Sequence, residues 1–126
     1  IKGVHTMTAE EYMSGFKYED SISRGAHPID IHATKGNKQS IHFLEQAAYV
    51  PYRALIAPAY PNLLVAGRPI SADRKAFASM RVQASCMGTG QAAGVAAAMA
   101  TKGGCSVHEV DIELLVDKLK SLGAAL

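Results

Sequence analysis

The clearest hydrophobic pattern in the chain is a run of small residues near its C-terminal end. Residues 91–101 are mostly alanine and carry no charge. Because alanine is the best helix former, this run predicts a helix, which Lys102 and the glycines after it would end. It has no large apolar stripe, so it is expected to be buried on all sides. Gly94 interrupts it at a cost of about 1 kcal/mol, which predicts a close packing contact there.

Alternation and capping residues predict shorter elements elsewhere. Thr8, with glutamate three residues later, is a capping box and predicts a helix through about Phe16, with Tyr12, Met13 and Phe16 in apolar contact. Asp111 would cap a last helix. The other predicted elements are strands at 29–32, 40–43 and 63–67 (the last covered on both faces), an extended segment at 49–57, a turn at 34–39, a loop at 72–77, a strand or helix at 80–87, and the last helix at 112–122.

Composition narrows the class of protein. The 126 residues are one domain or a piece of one, and 48% of them are hydrophobic. Thirteen basic and eleven acidic residues leave no basic patch, which argues against nucleic-acid binding. The uncharged stretch 82–101 contains glycines and polar residues, so we expect it to be buried in protein and not to span a membrane. Cys86 and Cys105 have no metal or disulfide spacing.

The glycines at 88 and 90 suggest a site at the entry of the alanine helix. There the first amides have no internal partner, and the missing side chains let a phosphate or the carbonyl edge of a heterocycle approach. The pattern Gly88-Thr89-Gly90-Gln91-Ala92-Ala93 is close to a dinucleotide fingerprint, but no convincing second strand follows it. The alternative is a structural helix with a tight N-terminal turn.

Charged side chains supply two further candidate groups. On a strand, Asp30 and His32 point to the same face and could line a substrate pocket, form a structural pair or, with His27, begin a metal site. Arg81 stands in an uncharged context, and Arg68 directly follows the apolar run at 63–67. Each arginine requires a carboxylate or an anionic ligand as partner.

Several blocks of the sequence together resemble the C-terminal part of a bacterial FAD-dependent oxidoreductase family. They cover most of the chain from about residue 29 to 104, and the closing residues resemble the last helix of that family. The blocks are PIDIH at 28–32, PYRALIAP at 51–58, NLLVAGRPIS at 62–71, MRVQASCMGTGQAAGVAAAMA at 80–100 and DIELLVDKLKSLGAAL at 111–126.

The resemblance implies an α/β to α+β fragment of a two-dinucleotide-type flavoprotein with a Rossmann-like fold. Residues 1–57 would belong to the inserted substrate domain and 58–126 to the FAD-binding domain, whose returning strand is 63–67. Asp30 and His32 would contact a small organic substrate. The implied FAD-binding residues are Gly67, Arg68, Ser71, Arg81, Met87, Gly88, Thr89, Gly90, Gln91 and Ala92. The helix entry would stabilise the negative charge of reduced flavin.

One feature departs from the family pattern. The sequence contains no GxGxxG unit to hold the ADP half of FAD and begins at Ile1. We therefore expect a fragment of a longer enzyme that does not hold FAD tightly by itself and associates through uncovered apolar surface. The resemblance favours the bacterial cytoplasm. Two other hypotheses are a non-catalytic α+β assembly domain and a small metal-binding module.

Overall fold

The structure, a computed structural model, describes residues 1–31 and 40–126. Within them the chain forms four α-helices, one 3₁₀ helix and two small sheets, which confirms the predicted mixed α/β fold class. The elements are α1 (Ala9–Met13), β1 (Ser21–Gly25), β2 (Ile29–Ile31), β3 (Ser40–His42), β4 (Ala48–Pro51), the 3₁₀ helix (Tyr52–Ala54), α2 (Arg74–Met80), α3 (Gln83–Gly103) and α4 (Ile112–Ser121).

Each sheet is a single antiparallel strand pair. β1 pairs with β4, with Ser21 opposite Pro51. β2 pairs with β3, with Ile29 opposite His42, so the strands predicted in these two places are confirmed. The segment predicted to be extended is a strand only as far as Pro51, because the 3₁₀ helix follows. The turn predicted at 34–39 lies outside the described residues.

Helix α1 begins at the predicted capping box. The Thr8 hydroxyl accepts a hydrogen bond from the amide three residues later, and that residue's carboxylate accepts one from the Thr8 amide at 2.8 Å. The helix ends at Met13, because Gly15 adopts a left-handed φ of 62°. Tyr12 is buried as predicted, whereas Met13 and Phe16 are exposed. Phe16 still makes an apolar contact, because its ring packs edge-on against that of Tyr18 with 4.9 Å between the ring centroids.

The segment predicted to be a loop at 72–77 contains most of helix α2. Asp73 explains the difference, because one of its oxygens caps the helix by accepting from the amides of Lys75 and Ala76, both at 2.8 Å. Its other oxygen accepts from the Ala9 amide at 2.8 Å. A single carboxylate therefore fixes the start of α2 and joins it to α1.

Helix α3 is longer than predicted and is buried on one face only. It begins at Gln83, eight positions before the predicted start at 91, and its buried residues recur every three or four positions. The opposite face is exposed, so the predicted burial on all sides is wrong. A β-carbon added at Gly94 would meet no atom of the described residues within 4 Å, so the predicted packing contact is also absent there. The buried residues are Ser85, Thr89, Ala92, Ala96 and Ala100.

The apolar run at 63–67 is not a strand. Its one β-bridge joins Leu64 to Ile56, and the Val65 amide donates to the Leu55 carbonyl at 2.8 Å. Residues 64–67 are only half-buried. The predicted doubly covered strand is therefore wrong for the described part of the chain, where this run has a neighbour on one side.

Helix α4 confirms the last predicted helix. Asp111 caps it by accepting from the Leu114 amide at 3.0 Å. Leu115 and Leu119 are fully buried, and they join the core that also contains the inner face of α3 and residues of β1 and β4. Helices α3 and α4 therefore share one core.

Candidate functional site

The turn at Gly67 packs against the first turns of α3. Gly67 has a φ of 70°, a conformation that strongly favours glycine, and its amide donates to the Thr89 hydroxyl at 3.0 Å. A β-carbon at Gly67 would lie 3.5 Å from the side chain of Cys86. The Thr89 hydroxyl in turn donates to the Ser85 carbonyl at 2.9 Å. One buried hydroxyl therefore joins the turn to the helix.

The first turn of α3 is an open, electropositive helix end. Its N-cap is Val82, which has no side-chain oxygen, and Gln83 and Ala84 are exposed. In the described part of the chain, no side chain accepts a hydrogen bond from the amides of residues 83–85. The first amides of a helix have no partner within it, and the helix dipole adds partial positive charge there. This end is the part of the site best suited to an electron-rich carbonyl or an anion.

Arg81 and Asp30 meet beside this helix end. Arg81 is the C-cap of α2 and lies two positions before α3 begins. Its Nη2 is 4.0 Å from Asp30 Oδ2, and its Nε donates to the Ala78 carbonyl at 3.2 Å. The structure thus brings a predicted cofactor residue together with a predicted substrate residue. His32, the other predicted substrate residue, lies outside the described residues.

Ser71 is enclosed by the N-terminal segment. Its side chain has no exposed surface, and its hydroxyl is 2.8 Å from the Thr6 hydroxyl. The Ser71 carbonyl accepts from the Met7 amide at 3.0 Å. Direct contact between Ser71 and a flavin therefore requires Thr6 to move. Arg68, three positions earlier, is exposed.

The predicted FAD-binding residues on α3 lie within the helix and not at its entry. Residues 87–92 fall in the second and third turns, where amides donate within the helix, so the proposed reason for a site there is wrong. Their side chains also divide between two faces. Met87, Gly90 and Gln91 are exposed, whereas Thr89 and Ala92 are buried. That all these residues contact FAD stays a prediction.

Gly88 has a packing role. A β-carbon at this position would lie 2.3 Å from Ser23 Oγ and 3.3 Å from Ser23 Cβ. Helix α3 therefore crosses β1 at a distance that only glycine permits without movement of Ser23. A β-carbon at Gly90 would meet no atom of the described residues within 4 Å. Gly88 and Gly90, the two glycines of the predicted site, therefore have different surroundings.

The helix start at Gln83–Ser85 was missed because its sequence signal is weak. Helix starts are recognised by serine, threonine, aspartate or asparagine at the N-cap, and here that position is Val82. The preceding segment alternates, which left strand and helix both open. Helix α2 ends at Met80, only three residues before α3 begins, and this break between the helices is a tertiary feature with no local signature.

The sequence model of the FAD dependent oxidoreductase family matches residues 1–119. This chain belongs to that family. FAD is the cofactor of this family. No curated protein and no solved structure matches the chain closely enough to refine that assignment.

Two features of the described residues are compatible with a flavin edge. The uncapped first turn of α3 offers backbone donors, and the Gly67 turn packs against Cys86 and Thr89, next to that first turn. Residues 1–31 and 40–126 contain no group of three metal-ligand side chains. The metal-module hypothesis stays a prediction, because His32, one of its three residues, lies outside those ranges. None of the helices in those ranges combines the length and apolar character that crossing a bilayer requires.

Proposed function

We propose that this chain supplies the flavin-facing wall of an FAD-dependent oxidoreductase. The observation that supports the proposal is the junction of the Gly67 turn with the uncapped first turn of α3. The amides of residues 83–85 would face the pyrimidine carbonyl edge, in place of the amides of residues 87–92 that the resemblance implied. When bound, FAD supplies the hydride-accepting chemistry.

The helix end would favour the reduced cofactor. Reduction places negative charge on the pyrimidine side of the flavin, and the partial positive charge at the start of a 21-residue helix stabilises it. The interaction is worth about 0.3–1 kcal/mol at an exposed helix end and more in a partly buried one. The helix thereby both orients the ring and raises its tendency to accept electrons.

Arg81 and Asp30 belong to the substrate side of the proposal. At 4.0 Å the two groups are further apart than a hydrogen bond allows, so their contact is a loose ion pair. The Arg81 guanidinium is about one-third exposed and keeps donors for an anionic group of a small organic substrate. The division of the chain at residue 57 into substrate and FAD-binding parts remains a prediction.

The ADP half of FAD would be held by another part of the parent protein. This proposal rests on the family membership and on the absence of GxGxxG from the printed sequence. We expect the 126-residue chain to bind FAD weakly or not at all. A yellow purified chain with one flavin per molecule would contradict that expectation. The proposed bacterial cytoplasmic location rests on the resemblance alone.

A charge placed at the start of α3 tests the flavin contact. Ala84→Glu adds a carboxylate to the first turn, which suits the helix dipole and should not reduce the stability of the protein. The same carboxylate would repel the reduced flavin. In the parent enzyme we expect fewer bound flavins per molecule and a more negative flavin reduction potential.

Ala97→Glu is the matched control, because Ala97 is an exposed alanine in the same helix but about three and a half turns further on. It should leave flavin content and reduction potential unchanged. Equal effects of the two substitutions, or no effect of either, would refute the proposed contact at residues 83–85.

A further inference from the structure

Thr89 is a buried polar residue in the interior of helix α3. Its side chain has no exposed surface. Threonine is a weaker helix former than alanine, and a buried hydroxyl costs free energy unless it is hydrogen-bonded. Packing alone therefore favours an aliphatic side chain at this position. The hydrogen bonds of the hydroxyl are what distinguish Thr89 from such a residue.

The Thr89 hydroxyl has a defined orientation. It donates to the Ser85 carbonyl at 2.9 Å and lies 3.2 Å from the Cys86 carbonyl, so its hydrogen is directed back along α3. Its lone pairs can then accept from a donor outside the helix, and the Gly67 amide supplies that donor at 3.0 Å. The helix therefore offers an acceptor, already oriented, to the turn beside it.

The turn at Gly67 is anchored to the core on both of its sides. Before it the Val65 amide, and after it the Ser71 amide, donate to backbone carbonyls of residues 54–55, at 2.8 and 3.0 Å. Among the described residues, the hydrogen bond from the Gly67 amide to the helix hydroxyl is the only one that joins residues 66–68 to another segment. That bond is therefore the directional contact that sets where the middle of the turn lies against α3.

The middle of this turn carries Arg68, one of the residues that the resemblance implied for FAD. The Ile70 amide donates to the Gly67 carbonyl at 3.3 Å, so Arg68 takes the first central position of a β-turn. Arg68 is exposed, and within residues 1–31 and 40–126 it forms no ion pair. The backbone of the turn is therefore what sets the place of this arginine beside α3.

We propose that Thr89 is a positioning residue of the flavin site. Its hydroxyl fixes the Gly67 turn on α3 and thereby sets the distance between Arg68 and the open amides of residues 83–85. The inference rests on the function proposed above, and it gives Thr89 a role that requires no contact with the cofactor. Since the Thr89 side chain is enclosed by the protein, its effect on a bound flavin passes through Gly67.

Hydrogen exchange of the Gly67 amide in the 126-residue chain tests the link between turn and helix. Thr89→Val keeps the branched shape of the side chain and removes the acceptor, so exchange at Gly67 should become about three- to tenfold faster. Thr89→Ser keeps the hydroxyl and should preserve the original rate. In the control, Thr101→Val, the rate at Gly67 should not change. Thr101 also donates to the carbonyl four residues earlier, at 2.9 Å, but it is exposed and bonds no other segment of the described chain. An unchanged rate at Gly67 in Thr89→Val would overturn the proposal.

FAD binding in the parent enzyme tests the consequence for the cofactor. Thr89→Val should raise the Kd for FAD about three- to tenfold. It should also make the reduction potential of the bound flavin more negative, because the ring is held less closely to the positive end of α3. Thr89→Ser and Thr101→Val should leave both quantities unchanged. If Thr89→Val does not fold in the parent, Gly67→Ala replaces it, since it strains the same turn at its φ of 70° and should weaken FAD binding in the same way.

Ala84→Glu separates this inference from the function on which it rests. If Ala84→Glu shifts the flavin potential but neither Thr89→Val nor Gly67→Ala alters Kd or potential, the positioning role is refuted and the flavin contact at residues 83–85 stands. If Ala84→Glu has no effect, the flavin contact itself is refuted, and the positioning role falls with it.

Discussion

The crossing of α3 over β1 predicts opposite effects of the same substitution at two positions of one helix. At Gly88 an added methyl would lie 2.3 Å from the buried Ser23 hydroxyl, whereas at Gly94 it meets no described atom within 4 Å. Glycine to alanine gains about 1 kcal/mol of helix propensity, and overpacking costs roughly 1–3 kcal/mol. We expect Gly94→Ala to raise the free energy of unfolding by about 1 kcal/mol. The free energy of unfolding of Gly88→Ala should be about 1–3 kcal/mol lower than that of Gly94→Ala.

Urea unfolding of the 126-residue chain, followed by circular dichroism, measures both values. A Ser23→Ala background provides the decisive control, since it removes the Oγ atom at 2.3 Å and leaves the Cβ at 3.3 Å. On that background Gly88→Ala should recover about 1 kcal/mol or more. If Gly88→Ala stabilises the chain as much as Gly94→Ala does, the close approach of α3 to β1 is refuted.

Three further predictions concern single contacts and self-association. Asp73→Ala should lower the free energy of unfolding, measured in urea, by about 2–3 kcal/mol, because one carboxylate caps α2 and joins it to α1. Asp111→Ala removes one cap bond and should lower it by about 1 kcal/mol. Equal losses would contradict the joint role of Asp73. Burial raises the pKa of Tyr52 from 10.0 to about 12. The stabilisation that comes from the neutral Tyr52 hydroxyl should therefore be complete below pH 10 and lost as the pH rises to about 12. Tyr52→Phe should remove that part of the pH dependence of stability, and an unchanged pH profile in this variant would contradict the prediction. Uncovered apolar surface, such as that of Met87, which is 67% exposed, predicts self-association. Light scattering tests this, and a monomer at all concentrations would contradict it.

The glycines of the sequence indicated a candidate site on α3, but the packing of the helix places its open amides at a different position from the one predicted. Glycines at 88 and 90 correctly marked α3 as unusual, because no alanine helix needs them for its own stability. The structural reason for a glycine at position 88 differs from the one inferred from the sequence, because Gly88 lets α3 pass close to Ser23 of β1. The open amides of α3 lie about one and a half turns earlier. The loose contact of Arg81 with Asp30 joins residues 51 positions apart, which no local pattern could show.

The sequence by itself determined the family, the mixed α/β class and the elements that carry their own signals. The capping box at Thr8, the cap at Asp111 and the alternation around Ile29 act over a few residues, so they can be read from neighbours along the chain. Only the tertiary structure decided where α3 begins, which of its faces is buried, and that residues 63–67 form no strand. Those features depend on which distant segments pack together, and burial and strand pairing are properties of that packing.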